Sequence, residues 1–206
     1  VLLVVGAMLA YALVYRKILF RSVVESIIAL PMVLPPTVLG FYLLIAMGPR
    51  GAVGNAWEGL TGSSLLFSFT GIVIASIFYS LPFAVQPLKA AFARIDRRIL
   101  ENAAVLGLSP LAIFVRVIVP NSLAGFAAAA ILVFLHTMGE FGVILMVGGS
   151  IPGETRVASI AIYEAVESLR YQDAWIMSVV LALISFTFLI VVNRVTGREG
   201  LNGAAG

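Results

Sequence analysis

Apolar residues fall in long blocks along this chain, not in the short alternations of a soluble domain. A helix needs roughly 20 mostly apolar residues to cross a bilayer. Four blocks have that length: Ser26 to Met47, Ser64 to Leu88, Ser122 to Val147 with interruptions, and Ala174 to Val195. A fifth, Val1 to Tyr15, is short for a crossing. It reads as a truncated first helix and not as a signal peptide, since no charged leader or cleavage site accompanies it. The pattern predicts an all-α integral membrane protein with about five transmembrane helices. The stretch Thr155 to Leu169 is too short and polar to cross. Its Val157, Ile160, Ala161 and Val166 suit one helical face, which predicts a short helix at the membrane edge.

Composition agrees. Hydrophobic residues make up 61% of the 206 and charged residues 11%, with a mean hydropathy of +1.10, against roughly 25% charged in a soluble domain. There is no cysteine, hence no disulfide, thiol chemistry or cysteine metal site, and a single histidine. The sequence holds no G-x-x-x-x-G-K-[ST] phosphate loop, so ATP hydrolysis is not expected of this chain. No constellation of nucleophile, acid and base stands out, and neither a catalytic residue, a metal ligand nor a nucleic-acid partner is expected.

Charge orients the spans. With five sequential crossings, ten of the thirteen Lys and Arg fall on one side: Arg16, Lys17, Arg21, Lys89, Arg94, Arg97, Arg98, Arg116, Arg194 and Arg198. Arg50, Arg156 and Arg170 fall on the other. The positive-inside bias puts the larger group in the cytoplasm. The N-terminus is then outside, the C-terminus inside, and residues 89–119 form a cytoplasmic loop. The expected organisation is a transmembrane domain over 1–198 with a tail over 199–206.

That loop contains "RRILENAAVLGLSPLAIFVRVIVP". Arg97 to Leu106 reads as a helix, with Arg97 and Glu101 spaced i,i+4. Gly107 can take the left-handed conformation that ends a helix. Ser109 can cap the next one, with Pro110 at its first position. Ala103, Ala104 and Gly107 carry little bulk, so a second protein can approach the backbone closely. By spacing alone, a solvated basic loop reads equally well.

Here the chain resembles the permease subunits of bacterial ABC importers. Their signature is E-x-A-x-x-x-G, nine residues, then I-x-L-P. It appears as Glu101, Ala103, Gly107, Val117, Val119 and Pro120, with Asn102 in place of the usual first alanine and valines for Ile and Leu. Nearly the whole chain takes part. "LPMVLPPTVLGFYLL" and "MGEFGVILMVGGSIPGETRVASIAIYEAVE" are similar to the molybdate permeases, and the sulfate/thiosulfate permeases share the G-E-F/Y-G stretch.

The resemblance implies a type I importer fold and a multi-pass location in a bacterial or archaeal plasma membrane. It implies coupling to the ATPase through Glu101, Ala103, Ala104, Gly107, Ser109, Pro110 and Pro120. It implies a second copy of the chain, two cytoplasmic ATPase subunits holding ATP and Mg, and an extracytoplasmic oxyanion-binding protein towards which Gly153, Glu154 and Arg156 would face. The cargo expected is molybdate, with tungstate or sulfate/thiosulfate as alternatives. A secondary transporter is the rival of another class. It would need buried ion-coupling residues and internal repeats, and no convincing repeat is visible.

Several intramembrane residues keep two readings. Pro31, Pro35 and Pro36 interrupt the second span, and a bend near Thr37 either lines the pathway or only packs. Glu140, between Gly139 and Gly142, is an acid deep in an apolar stretch. As a pathway residue it would repel a dianion. As an anchor it would fix the helix break, with Arg156 as a partner. His136 reads as a hydrogen-bonded interior residue, and Gly125 with Ala127 to Ala130 as a close-packing surface. No span from Ser26 onward has Lys or Arg in its middle, so a weakly binding path is expected, with selectivity left to the binding protein.

Overall fold

A computed structural model describes residues 1–202, with side chains over 1–192. Among the described residues all regular structure is helical. The elements are α1 (Leu2–Tyr15), α2 (Arg21–Val33), α3 (Pro36–Met47), α4 (Ala52–Thr61), α5 (Phe69–Ala93), α6 (Arg97–Val105), α7 (Pro110–Ile113), α8 (Leu123–Gly139), α9 (Gly142–Gly148), α10 (Ala158–Glu167) and α11 (Tyr171–Asn202). A π turn over Phe114–Ile118 and a 3-10 turn over Pro120–Ser122 join α7 to α8.

Three helical runs are long and apolar enough to cross a membrane: Phe69–Ala93, Pro120–Gly139 and Tyr171–Val192. α2 and α3 qualify only as a pair, bent by 114°. The expected second span is therefore two helices. The break lies at Leu34–Pro35, just before Thr37, because Pro35 and Pro36 remove two successive N–H donors. α1, at 14 residues, covers ~21 Å of a ~30 Å hydrocarbon layer.

The third span starts and ends five residues later than expected. Ser68 caps α5 by accepting from the Gly71 N–H at 3.0 Å. At the other end Lys89 lies inside the helix, with Glu25 of α2 2.9 Å from its ammonium. α11 runs through residue 198 to Asn202, so the expected boundary between domain and tail falls inside a helix. The side chains of Arg194 and Arg198 lie outside those described.

α5 is the central post, with Ala75, Ala84, Val85, Leu88 and Phe92 inaccessible to solvent. Its neighbours approach over small residues. A Cβ on Gly6 of α1 would lie 2.7 Å from that of Ala84, and one on Gly125 of α8 2.3 Å from that of Ala91. The packing role expected of Gly125 is thereby met, and Ala129 beside it is fully buried. In a bilayer such close approach replaces the hydrophobic drive that lipid cannot supply.

Contacts sort the charges by end. Tyr15 at the close of α1 donates to the Phe92 carbonyl at 2.7 Å, which sets the α1–α2 loop beside α6. Arg16, Lys17, Arg21 and Arg97 surround one cavity there. At the opposite end the Phe67 N–H donates to the Val147 carbonyl at 2.9 Å, and Arg156 and Arg170 line a separate hollow. Four of the ten bases grouped by sequence thus share one cavity, and two of the other three share another.

Two details differ from expectation. α4, between the second and third spans, has no counterpart in the sequence reading. In α10 the inward residues are Ile160 and Ala165, whereas Val166 is 44% exposed. Val166 lies about 100° round the helix from Ala165 and so misses the packed face.

Candidate functional site

The protruding loop at the basic end is built by three caps. Asp96 opens α6 by accepting from the Arg98 N–H at 2.9 Å. Gly107, at φ 81°, closes it. The Gly107 N–H donates to the Ala104 carbonyl at 2.9 Å and the Leu108 N–H to the Ala103 carbonyl at 3.2 Å, the paired bonds of a Schellman closure. Ser109 then caps α7 by accepting from the Ala112 N–H at 3.3 Å, with Pro110 at the first helical position. Arg97 and Glu101 form the expected ion pair at 3.1 Å, exposed to solvent.

The residues expected to couple do not all face outward. Glu101, Ala104, Gly107, Ser109 and Pro110 are exposed, whereas Ala103 is 7% exposed and turned into the chain. Ala103 therefore seats α6 against the rest of the chain. Val105 and Leu106, 86% and 80% exposed, are the bulky apolar groups actually presented there, and sequence reasoning passed over them. Their signal was available: two large apolar residues just before a helix-ending glycine, on a loop outside the membrane. Pro120 is exposed as well and opens the 3-10 turn leading into α8.

The second site is the pair of helix breaks between α2 and α3 and between α8 and α9. α3 starts at Pro36 and α9 at Gly142, and the two lie against each other. A Cβ on Gly142 would lie 2.9 Å from the Pro36 Cβ and 3.7 Å from the Thr37 nitrogen. Further along, Gly40 lets α3 settle against Met146 and the Cα of Val143. Three of the pathway candidates, Pro36, Thr37 and Gly142, are thus brought together. Pro35 caps α3 beside them. Gly139 has open space where a side chain would be.

Glu140 sits at the break between α8 and α9 and is 4% exposed. Its Oε2 accepts from Ser76 Oγ of α5 at 3.0 Å. Its carbonyl accepts from Ser159 Oγ of α10 at 2.5 Å. Its Oε1 has no protein partner among the described residues. Arg156, the partner expected from sequence, instead pairs with Glu164 at 3.2 Å on the exposed side of α10.

One turn of α5 below Ser76, Ser80 Oγ lies 3.1 Å from His136 Nδ1 and 3.2 Å from Thr137 Oγ1. The His136 ring stacks on Phe83 with centroids 3.9 Å apart. His136 is thus the bonded interior residue expected. Ser76, Ser80, His136, Thr137 and Glu140 form a polar seam between α5 and the α8–α9 break. The sequence reading missed its α5 half, although two serines spaced i,i+4 in an apolar span already marked a polar line.

Beyond α9 the expected partner-facing residues Gly153 and Glu154 are exposed, with Gly153 at φ 81°. The loop is closed from within by Thr155, fully buried, whose Oγ1 donates to the Gly148 carbonyl at 2.7 Å and accepts from the Ile151 N–H at 3.0 Å. Thr155 was not singled out from sequence.

Comparison with known proteins agrees with this layout. Residues 3–198 match the family model described as binding-protein-dependent transport system inner membrane component. The molybdenum transport system permease protein ModB of Azotobacter vinelandii is 46% identical over 199 residues, 96% of this chain and 87% of that protein. A probable sulfate transport system permease protein of Nephroselmis olivacea is 30% identical over 92% of this chain and 66% of its own length. Among solved structures, a bacterial alginate ABC transporter in complex with a periplasmic protein bound to alginate pentasaccharide aligns with a TM-score of 0.71. That alignment covers 96% of this chain and 71% of the other at 19% identity, a likeness of fold.

Proposed function

The chain belongs to the binding-protein-dependent transport system inner membrane component family, and from that premise we propose that it is the permease subunit of an ATP-driven molybdate importer. The observation that carries the cargo is the 46% identity to the Azotobacter molybdenum permease along almost the whole chain. The observation that supports the coupling is the capped α6–α7 turn, which presents Val105 and Leu106 to solvent at the basic end.

In this reading two copies of the chain enclose the path in a plasma membrane. The basic end is cytoplasmic, with the N-terminus outside and the C-terminus inside. Two ATPase subunits, carrying ATP and Mg, receive the α6–α7 turn. An extracytoplasmic oxyanion-binding protein docks at the end bearing Gly153, Glu154 and Arg156, as the periplasmic protein in the alginate complex suggests. The chain itself is not catalytic. Opening and closing of the path would be carried by the joint between Pro36, Thr37 and Gly142, while the Glu140 seam holds α5, α8, α9 and α10 as one body. The mid-membrane polar groups are neutral hydroxyls, an imidazole and one carboxyl, which suits weak passage of a dianion rather than tight capture.

The test is uptake of labelled molybdate into liposomes holding the complete complex and enclosing ATP. Hydrolysis-dependent uptake that requires the loaded binding protein is the expected result. Uptake that persists with a non-hydrolysable ATP analogue would place the chain among secondary transporters. Sulfate is the second reading, favoured by the relative from Nephroselmis. Preferential uptake of labelled sulfate from its own binding protein would establish it in place of molybdate.

A further inference from the structure

A cavity of about 920 Å³ opens between the α1–α2 loop and α6. Arg16, Lys17, Arg21 and Arg97 stand on its walls, and Glu101 is the one acid there. Arg97 is engaged by Glu101 and Arg21 by Glu25. Among the described residues, Arg16 and Lys17 have no carboxylate within ion-pair distance. Both follow directly on the close of α1, where a membrane helix meets the headgroup layer. Next in the chain come Leu19 and Phe20, 81% and 72% exposed, with Phe20 in a left-handed backbone at φ 55°. The loop therefore offers two free cations beside two apolar side chains, the complement of a phosphate joined to acyl chains. Its far wall is the coupling turn, through Leu100, Glu101 and Ala104 of α6 and Pro110 of α7.

We propose that this cavity binds the phosphate headgroup of an acidic phospholipid of the cytoplasmic leaflet on Arg16 and Lys17, and that the bound lipid braces the α1–α2 loop against the coupling helix α6. The proposal rests on the cytoplasmic placement of the basic end given above. A headgroup there would make coupling depend on lipid composition, because it would touch α6, the helix the proposed coupling uses. A free anion such as inorganic phosphate would meet the cations but not Leu19 and Phe20, so the lipid is the better fit.

The experiment uses the complete complex in three kinds of vesicle: pure phosphatidylcholine, phosphatidylcholine with phosphatidylglycerol, and phosphatidylcholine with oleate at matched negative charge. Uptake in phosphatidylcholine and co-purification of the ATPase report on the permease reading itself. The change on adding phosphatidylglycerol reports on the site. Wild-type uptake is expected to rise with phosphatidylglycerol and not with oleate. The double variant Arg16→Gln/Lys17→Gln is expected to keep its phosphatidylcholine rate and lose the rise. In native mass spectrometry that variant should retain phosphatidylglycerol roughly thirtyfold more weakly, about fivefold for each cation lost. An equal response to oleate would reduce the effect to surface charge and overturn the site. Stimulation by inorganic phosphate in phosphatidylcholine would assign the cavity to a soluble anion and overturn the lipid. A double variant that binds and responds like wild type would overturn both.

Discussion

Ser76 on α5 and Glu140 at the α8–α9 break, 64 positions apart, are joined by a 3.0 Å hydrogen bond in a region closed to solvent. The bond fixes the rotation of α5 against the break, and Ser159 holds the same residue from α10 through its carbonyl. An acid expected on charge grounds to seek Arg156 thus has only hydroxyl partners. That arrangement favours the anchor reading of Glu140 over the pathway reading.

A joint tolerates loss of charge better than loss of polarity. Glu140→Gln keeps an acceptor for Ser76 and is expected to retain most molybdate uptake. Glu140→Leu strands the Ser76 hydroxyl, and Ser76→Ala strands the carboxyl, at about 1–3 kcal/mol for each unmade buried bond. Both variants should lower the melting temperature of the purified complex. A Gln variant that assembles normally but transports much faster, or changes its preference between molybdate and sulfate, would put Glu140 in the anion path.

The two glycines flanking Glu140 are expected to differ sharply. A Cβ on Gly142 would press on Pro36 at 2.9 Å, whereas one on Gly139 meets nothing within 4 Å. Gly142→Val should cost about 1–3 kcal/mol through overpacking of α3 on α9 and lower transport. Gly139→Ala should leave thermal stability and uptake near wild type. Equal tolerance at both positions would mean that α3 and α9 are not in tight contact in the assembled complex.

Much of this layout was legible in the sequence because the bilayer imposes it. The apolar blocks, the Pro35–Pro36 interruption and the Gly107–Ser109–Pro110 punctuation are local signals; the structure keeps the interruption and the punctuation, but it breaks the second and fourth blocks and shifts the third by five residues. What sequence could not yield was set by packing across long separations. The inward turn of Ala103 depends on what α6 lies against. The choice of Ser76 over Arg156 as partner of Glu140 depends on how α5 and α10 meet the break. The 114° angle between α2 and α3 follows from where α3 finds α9, since prolines mark a bend without fixing its size.

Topology can be read chemically in this cysteine-free chain. Ser109 and Ser63 are both exposed, at opposite ends of the helical bundle. A cysteine at Ser109 should react with an impermeant maleimide only from the cytoplasmic face, and one at Ser63 only from outside. The reverse pattern would overturn the orientation drawn from the basic residues and, with it, the leaflet assigned to the Arg16–Lys17 cavity.

The coupling turn gives the sharpest test, because conformation and contact can be separated at Gly107. Its φ of 81° costs a residue with a Cβ about 1–2 kcal/mol, yet no neighbouring atom lies within 4 Å of where that Cβ would be. Gly107→Ala should therefore loosen the Schellman closure while the chain still inserts, and reduce transport in part. Gly107→Trp adds a ring on the face that the proposed coupling would present to an ATPase. It is expected to abolish binding-protein-stimulated ATP hydrolysis while the permease still accumulates in the membrane. Leu106→Asp, which leaves the backbone untouched, should weaken co-purification of the ATPase by removing an exposed apolar contact. If Gly107→Trp and Leu106→Asp both assemble and hydrolyse ATP as wild type does, the α6–α7 turn is a solvated basic loop, and the docking face lies elsewhere on the chain.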